Sequence, residues 1–283
     1  MKLFLVILGV TAALAAPQVQ YEPIVNEYHI EFGIPEAERI KAAEAAEDFD
    51  GSRIVGGSAA RLGQFPYMGG LVIDLADRRQ SVCGSSLISA NRAVTAAHCW
   101  RTRNAQAVRF TVVLGSLRLF SGGTRVASSN VIMHESYNMD NLRNDVAVIV
   151  LPNIGFNNNV GAIGLASGSN QFVGSTATAA GFGRTSDSAG ISPNQALSHV
   201  NLNVITNQEC SRVYGTGTVI ASTICVSGAN GRSTCGGDSG GPLVVNNQLI
   251  GITSFGARAG CQRGFPAGFA RVTSFNSWIR ARM

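Results

Sequence analysis

Cys235-Gly236-Gly237-Asp238-Ser239-Gly240-Gly241-Pro242 is the stretch on which the reading of this chain turns. Its glycines let the backbone turn tightly and leave the amides of Gly237 and Ser239 free to converge on one point. A serine hydroxyl beside such a pair can attack a carbonyl whose developing negative charge the two amides receive. Alone, a glycine-rich string of this kind reads better as a plain turn between strands. Two other stretches change that balance.

Thr95-Ala96-Ala97-His98-Cys99 offers a histidine, and Asp145 opens the apolar run Asp145-Val146-Ala147-Val148-Ile149-Val150-Leu151. A serine of ordinary pKa is a poor nucleophile and needs a base. That base needs a partner to fix its tautomer and to stabilise its charged form. Taken singly, His98 reads as a hydrogen-bonded core histidine and Asp145 as a turn residue ahead of a strand. Together with Ser239, they supply base, orienting acid and nucleophile.

The 283 residues are 45% hydrophobic and only 14% charged, with 33 glycines, which excludes a coiled coil or a wholly disordered chain. Charge is divided sharply. Residues 16–53 carry nine acids against Arg39, Lys41 and Arg53, whereas residues 54–283 carry eighteen arginines, eight acids and no lysine. The net values are −6 and +10. The acidic part has no cysteine and a weak helical pattern from Pro35 to Asp48, and it reads as a detachable segment. After Arg53 come short β-branched runs punctuated by turn residues, among them Val108–Leu114, Val131–His134, Ser175–Ala180, Leu197–Ile205 and Gln248–Thr253. Asn246-Asn247 reads as a hairpin turn. Only Ser274–Met283 has clear helical character, so two successive all-β units are expected, 54–166 and 167–283, ending in one helix.

Lys2, the apolar run Leu3–Val10 and the small residues after it have the layout of a signal peptide, with cleavage expected after Ala15. A secreted, extracellular protein with no membrane span follows. Cys83, Cys99, Cys210, Cys225, Cys235 and Cys261 are an even set that reads as three disulfides in an oxidising compartment, with fifteen pairings open. His29, His134 and His199 lack ligand spacing, and no metal or other cofactor is expected. The arginines are dispersed except for Arg78-Arg79 and lack aromatic interleaving, which argues for a solvated basic surface and against nucleic-acid binding.

The whole constellation resembles the chymotrypsin family of secreted serine endopeptidases, and arthropod digestive and collagenolytic members in particular. The resemblance spans residues 54–283 through Ile54-Val55-Gly56-Gly57, the TAAHC string, Asn144-Asp145, Gly181-Phe182-Gly183, GDSGGP and Ser277-Trp278-Ile279. It implies an all-β fold of two six-stranded antiparallel barrels with the cleft between them and a C-terminal helix. It implies the disulfides Cys83–Cys99, Cys210–Cys225 and Cys235–Cys261. In its terms Ser239 is the nucleophile, His98 the general base and acid, and Asp145 the orienting carboxylate, with the Gly237 and Ser239 amides as oxyanion hole. Ser254-Phe255-Gly256 matches the substrate-binding strand. Phe255 and Phe182 stand where the family commonly has tryptophan, which keeps an aromatic wall and loses an indole N–H donor. Val113–Met133 has no acidic residue, so the calcium loop of some relatives has no ligands of its own here.

Ser233, Gly256 and Ala267 match the base, rim and wall of the primary specificity pocket, and none is a carboxylate. An unpaired cation buried there would cost several kcal/mol. Phe, Tyr, Leu or Met before the scissile bond is therefore expected rather than Arg or Lys. Cutting after Arg53 would free the Ile54 amine to pair with Asp238, which makes residues 16–53 an activation propeptide and a trypsin-like protease the expected activator. Protein or peptide substrates, protein inhibitors and a monomeric state complete the expectation. A defence or clotting cascade protease, elastase-like or collagenolytic specificity, and a silent binding relative are the competing readings.

Overall fold

The computed structural model describes residues 20–45, 57–184, 186–187 and 196–283. The leader, the Arg53–Ile54 junction and Thr185 lie outside the described residues. The described chain carries a π-helical turn at His29–Gly33 that runs without a break into α1 (Ile34–Ala45), with Pro35 where the two meet. The strands that follow are β1 (Ser58–Ala59), β2 (Met68–Leu75), β3 (Gln80–Ser89), β4 (Arg92–Thr95), β5 (Ala107–Leu114), β6 (Thr124–Ser128), β7 (Val131–Met133) and β8 (Ala147–Val150). The later strands are β9 (Gly164–Leu165), β10 (Thr176–Gly181), β11 (Ser198–Ile205), β12 (Thr223–Val226), β13 (Pro242–Val245), β14 (Gln248–Phe255) and β15 (Ala267–Arg271). Helix α2 (Asn207–Tyr214) precedes β12, and α3 (Val272–Arg280) follows β15.

The first sheet has the order β6-β5-β2-β3-β4-β8-β7. Its edge strands β6 and β7 are consecutive in the chain, separated only by Ser129 and Asn130, so the sheet curls round until the chain itself joins its two edges. Asn130 O accepts from Val150 N at 2.9 Å and Ser128 Oγ donates to Val150 O at 2.7 Å across that join. The second sheet closes by hydrogen bonding: β11-β10-β13-β14-β15-β12 returns to β11 through Val204–Val226 and Ile205–Cys225. Mostly β architecture with barrel geometry and a terminal helix is therefore present, one barrel fully closed and the other a curled open sheet. β1 pairs with β11, and β9 runs parallel to β14, both in the second sheet.

Periodicity explains the packing. β11 buries Ser198, Val200, Leu202 and Val204 while the intervening residues stay partly or fully open, the alternation of a strand with one wet face. β3 is buried on both faces because the π-helical turn and α1 lie against it. Asn246 (φ 48°) and Asn247 (φ 57°) make the β13–β14 hairpin with two left-handed residues, which asparagine tolerates. The expectation of a single helix at the tail is corrected by α2. Its start is fixed by a capping box in which Thr206 Oγ1 accepts from Glu209 N and Glu209 Oε2 accepts from Thr206 N.

The helix expected from Pro35 to Asp48 is observed as α1 as far as Ala45, residues 46–48 lying outside the described residues, and in the intact chain the acidic segment packs against the body. Ala37 and Ile40 are buried with Val82, Leu119, Phe182 and Leu197. Apolar burial and not long-range charge holds this segment, because Ile40 and Ala43 are fully removed from solvent.

Candidate active site

Asp145 precedes β8, and His98 lies in the short 3-10 turn Ala97–Cys99 that ends β4; β4 and β8 are paired, so the sheet register brings the two residues together. Asp145 Oδ1 accepts from His98 N at 2.9 Å, and Asp145 Oδ2 lies 2.7 Å from His98 Nδ1. Ser254 Oγ donates to the same Oδ2 at 2.6 Å from β14 of the other barrel. The carboxylate is thus buried with three donors, the condition under which a buried charge is tolerated. With Nδ1–H donating to Asp145, the lone pair of His98 sits on Nε2, which has no hydrogen-bond partner among the described residues.

Ser239 lies in the turn before β13, seated against the first barrel by a hydrogen bond from Gly84 N to Ser239 O at 2.6 Å. Gly237 (φ 101°) and Gly240 (φ 78°) take conformations that suit only glycine, as the sequence string requires. Asp238 is fully buried, with its carboxylate accepting from Gly183 N and Cys235 N, each at 2.9 Å. A Cβ at Gly181 would stand 2.1 Å from Asp238 Oδ1, so the Gly181-Phe182-Gly183 string exists to admit this carboxylate. Burial pushes the Asp238 carboxyl up to about 7 against those two amides, with Glu36 raising it and Arg39 lowering it.

Cys83–Cys99, Cys210–Cys225 and Cys235–Cys261 are all bonded, as the resemblance implied. The cleft cavity is bounded by Thr234, Cys235, Gly236, Ser239, Phe255 and Gly256 together with residues of the N-terminal segment. Ser233 and Ala267, expected at the base and wall of the pocket, are buried and are not among the residues that line this cavity. The Phe255 ring lies on Gly268, where an added Cβ would be 2.1 Å from Cζ, and meets Tyr214 edge-on at 5.3 Å. No acid lines the cavity among the described residues. Among the described residues, each cluster with metal-ligand potential depends on disulfide sulfurs, which are not free to ligate.

One residue that the sequence reading passed over lies at the centre. The Tyr28 hydroxyl accepts from Gly237 N at 3.2 Å and donates to Val82 O at 2.9 Å, and the Ser239 side chain also reaches it. Its ring stacks at a tilt on His98, centroid to centroid 4.8 Å. Burial first, and then the Glu36 charge, keep this phenol protonated well above the usual tyrosine range. Nothing in the sequence marked Tyr28, because a lone tyrosine in an acidic stretch has no spacing to read.

The trypsin family model matches residues 54–279. A collagenase of Hypoderma lineatum is 41% identical over 233 residues, covering 81% of this chain and 86% of the relative. A brachyurin of Leptuca pugilator is 40% identical, covering 81% and 98%. Trypsin delta of Drosophila melanogaster is 38% identical, covering 80% and 87%. Among solved structures, HL collagenase superposes with a TM-score of 0.75 at 40% identity, covering 81% of this chain and 98% of that one.

Proposed function

The chain belongs to the trypsin family of serine proteases, and from that premise we propose that it is a secreted digestive endopeptidase made as a zymogen, with a preference for Phe, Tyr, Leu or Met before the scissile bond. In this reading Ser239 Oγ attacks the carbonyl carbon while His98 Nε2 takes its proton. The tetrahedral oxyanion is received by the Gly237 and Ser239 amides. His98 then protonates the leaving amine, and water repeats the cycle on the acyl-enzyme. Asp145 holds the histidine tautomer and stabilises the imidazolium. The observation that carries the reading is the buried His98 Nδ1–Asp145 Oδ2 contact of 2.7 Å, which leaves Nε2 as acceptor beside the turn that bears Ser239.

The absence of a carboxylate from the cavity lining favours apolar over cationic side chains. Three disulfides favour an oxidising, extracellular setting. Collagen cleavage is the second reading, favoured by the 41% identity to a collagenase. The test is a peptide-library cleavage profile of the protein cut after Arg53, run beside native collagen and a serine-directed phosphonate. Cleavage after apolar residues with a single label on Ser239 is expected, and cleavage after Arg or Lys overturns the specificity.

A further inference from the structure

The family match begins at residue 54, yet the cleft is filled by what lies before it. Ile24 forms an antiparallel bridge with Ala257, next to the strand end Ser254–Gly256, and Arg258 N donates to Pro23 O at 2.9 Å. The segment therefore enters as an added strand, the way an extended peptide binds a sheet edge. At Tyr28 the backbone turns helical (φ −50°, ψ −47°), so a side-chain hydroxyl and not a main-chain carbonyl meets Gly237 N. That hydroxyl is uncharged and offers Ser239 no carbonyl carbon to attack, so it cannot acylate the enzyme.

Four further anchors fix the segment. His29 Nδ1 lies 2.8 Å from Ser81 Oγ, and a Cβ on Gly33 would come within 2.0 Å of that same oxygen. The Phe32 ring covers Gly236, with the Arg184 guanidinium 5.8 Å from its centroid. Glu36 is fully buried and ion-paired with Arg184 and, at 2.7 Å, with Arg39. The Glu44 carboxylate accepts from Leu119 N, Phe120 N and Ser121 Oγ. None of these contacts uses the bond at Arg53.

We infer that residues 20–45 are a protease inhibitor in their own right, which stays on the body after the Arg53–Ile54 bond is hydrolysed and must dissociate before substrate can enter. The inference rests on the reading of Ser239 and His98 as catalytic. Binding is reversible because a free twelve-residue helix is marginal in water and must be re-ordered on docking. Salt weakens it only in part, because the Glu36 carboxylate that meets Arg184 is fully buried while the Glu31–Arg258 pair is exposed.

The test uses the full-length protein cut by trypsin, with trypsin then blocked by an Arg-directed inhibitor. Hydrolysis of a short chromogenic peptide is followed over a hundredfold dilution, and binding of a fluorescein-labelled synthetic peptide of residues 20–45 is followed by anisotropy. Specific activity is expected to rise at least tenfold on dilution and to fall again on adding the unlabelled peptide. Peptides carrying Tyr28→Ala or Gly33→Leu are expected to inhibit at least tenfold more weakly. Constant specific activity with no inhibition by the added peptide overturns the inference, as does equal inhibition by both variants. Binding of the labelled peptide to a body that neither hydrolyses peptides nor takes the phosphonate overturns the protease reading, and with it the inhibitory role, while upholding the binding surface.

Discussion

Ser254 Oγ and His98 Nδ1 meet on a single oxygen, Asp145 Oδ2, at 2.6 and 2.7 Å. The contact ties β14 of the second barrel to the acid that precedes β8 of the first, so a residue expected from sequence on the substrate strand also holds the carboxylate proposed to orient His98. Removing the hydroxyl leaves Asp145 two donors from His98, so the carboxylate is weakened and not stranded. Ser254→Ala is expected to lower kcat by between about 2-fold and 10-fold, below the full worth of a charged hydrogen bond of roughly 1.5–3 kcal/mol. KM should change little, because the main chain of the strand is untouched. A kcat unchanged at every pH would show that the contact does not bear on the chemistry.

Nucleophile and base act as one unit if the proposed roles hold. Ser239→Ala and His98→Ala should each lower kcat on the order of 10^6-fold, and the double variant should be scarcely worse. Steady-state rates of the cut, separated proteins read this directly. Additive losses would mean that the two side chains act in different steps.

Much of this site was legible because the family strings are each a local packing demand. Gly181 and Gly183 are glycine because the Asp238 carboxylate occupies the space a Cβ would need, and Gly237 and Gly240 because of positive φ. The β-branched runs gave most strands for the same local reason. Helix α2 was missed although its signal, Thr206 three residues before Glu209, was present. Tyr28 was out of reach, since its place depends on contacts with Val82, His98 and Gly237, 54 to 209 positions away, which no local pattern encodes.

The pocket gives a third expectation. Ser233 is buried and precedes Thr234 and Cys235, which line the cavity, and no acid is among the described residues of that lining. Ser233→Asp should bring measurable cleavage after Arg or Lys in a library where the unaltered enzyme shows almost none, by supplying a countercharge. Loss of Phe and Tyr cleavage with no gain at Arg would place the base of the pocket elsewhere.

If the proposed activation holds, Asp238 links it to pH. Its carboxyl is pushed up to about 7 in the intact chain, chiefly by burial, against an ordinary value of 3.8. A raised folded-state pKa means that the folded protein holds a proton the unfolded chain has released. The associated stability is complete below the unfolded value near 3.8 and is lost as pH rises through about 7. Above that range the intact chain carries a buried anion that, among the described residues, accepts from the amides of Gly183 and Cys235. An ammonium delivered by Ile54 after cleavage at Arg53 would neutralise it, so ionised Asp238 favours the cut form over the intact one. In urea titrations of the intact Ser239→Ala protein from pH 4 to 8, stability relative to the Ser239→Ala, Asp238→Asn protein should fall with rising pH and level off above about 7, because the amide has no proton to lose. After trypsin cuts both chains that retain Ser239, the Asp238→Asn enzyme should stay poorly active, since Ile54 then finds no charge to pair with. Parallel stability curves would remove Asp238 from the titration, and full activity of the cut Asp238→Asn enzyme would remove it from activation.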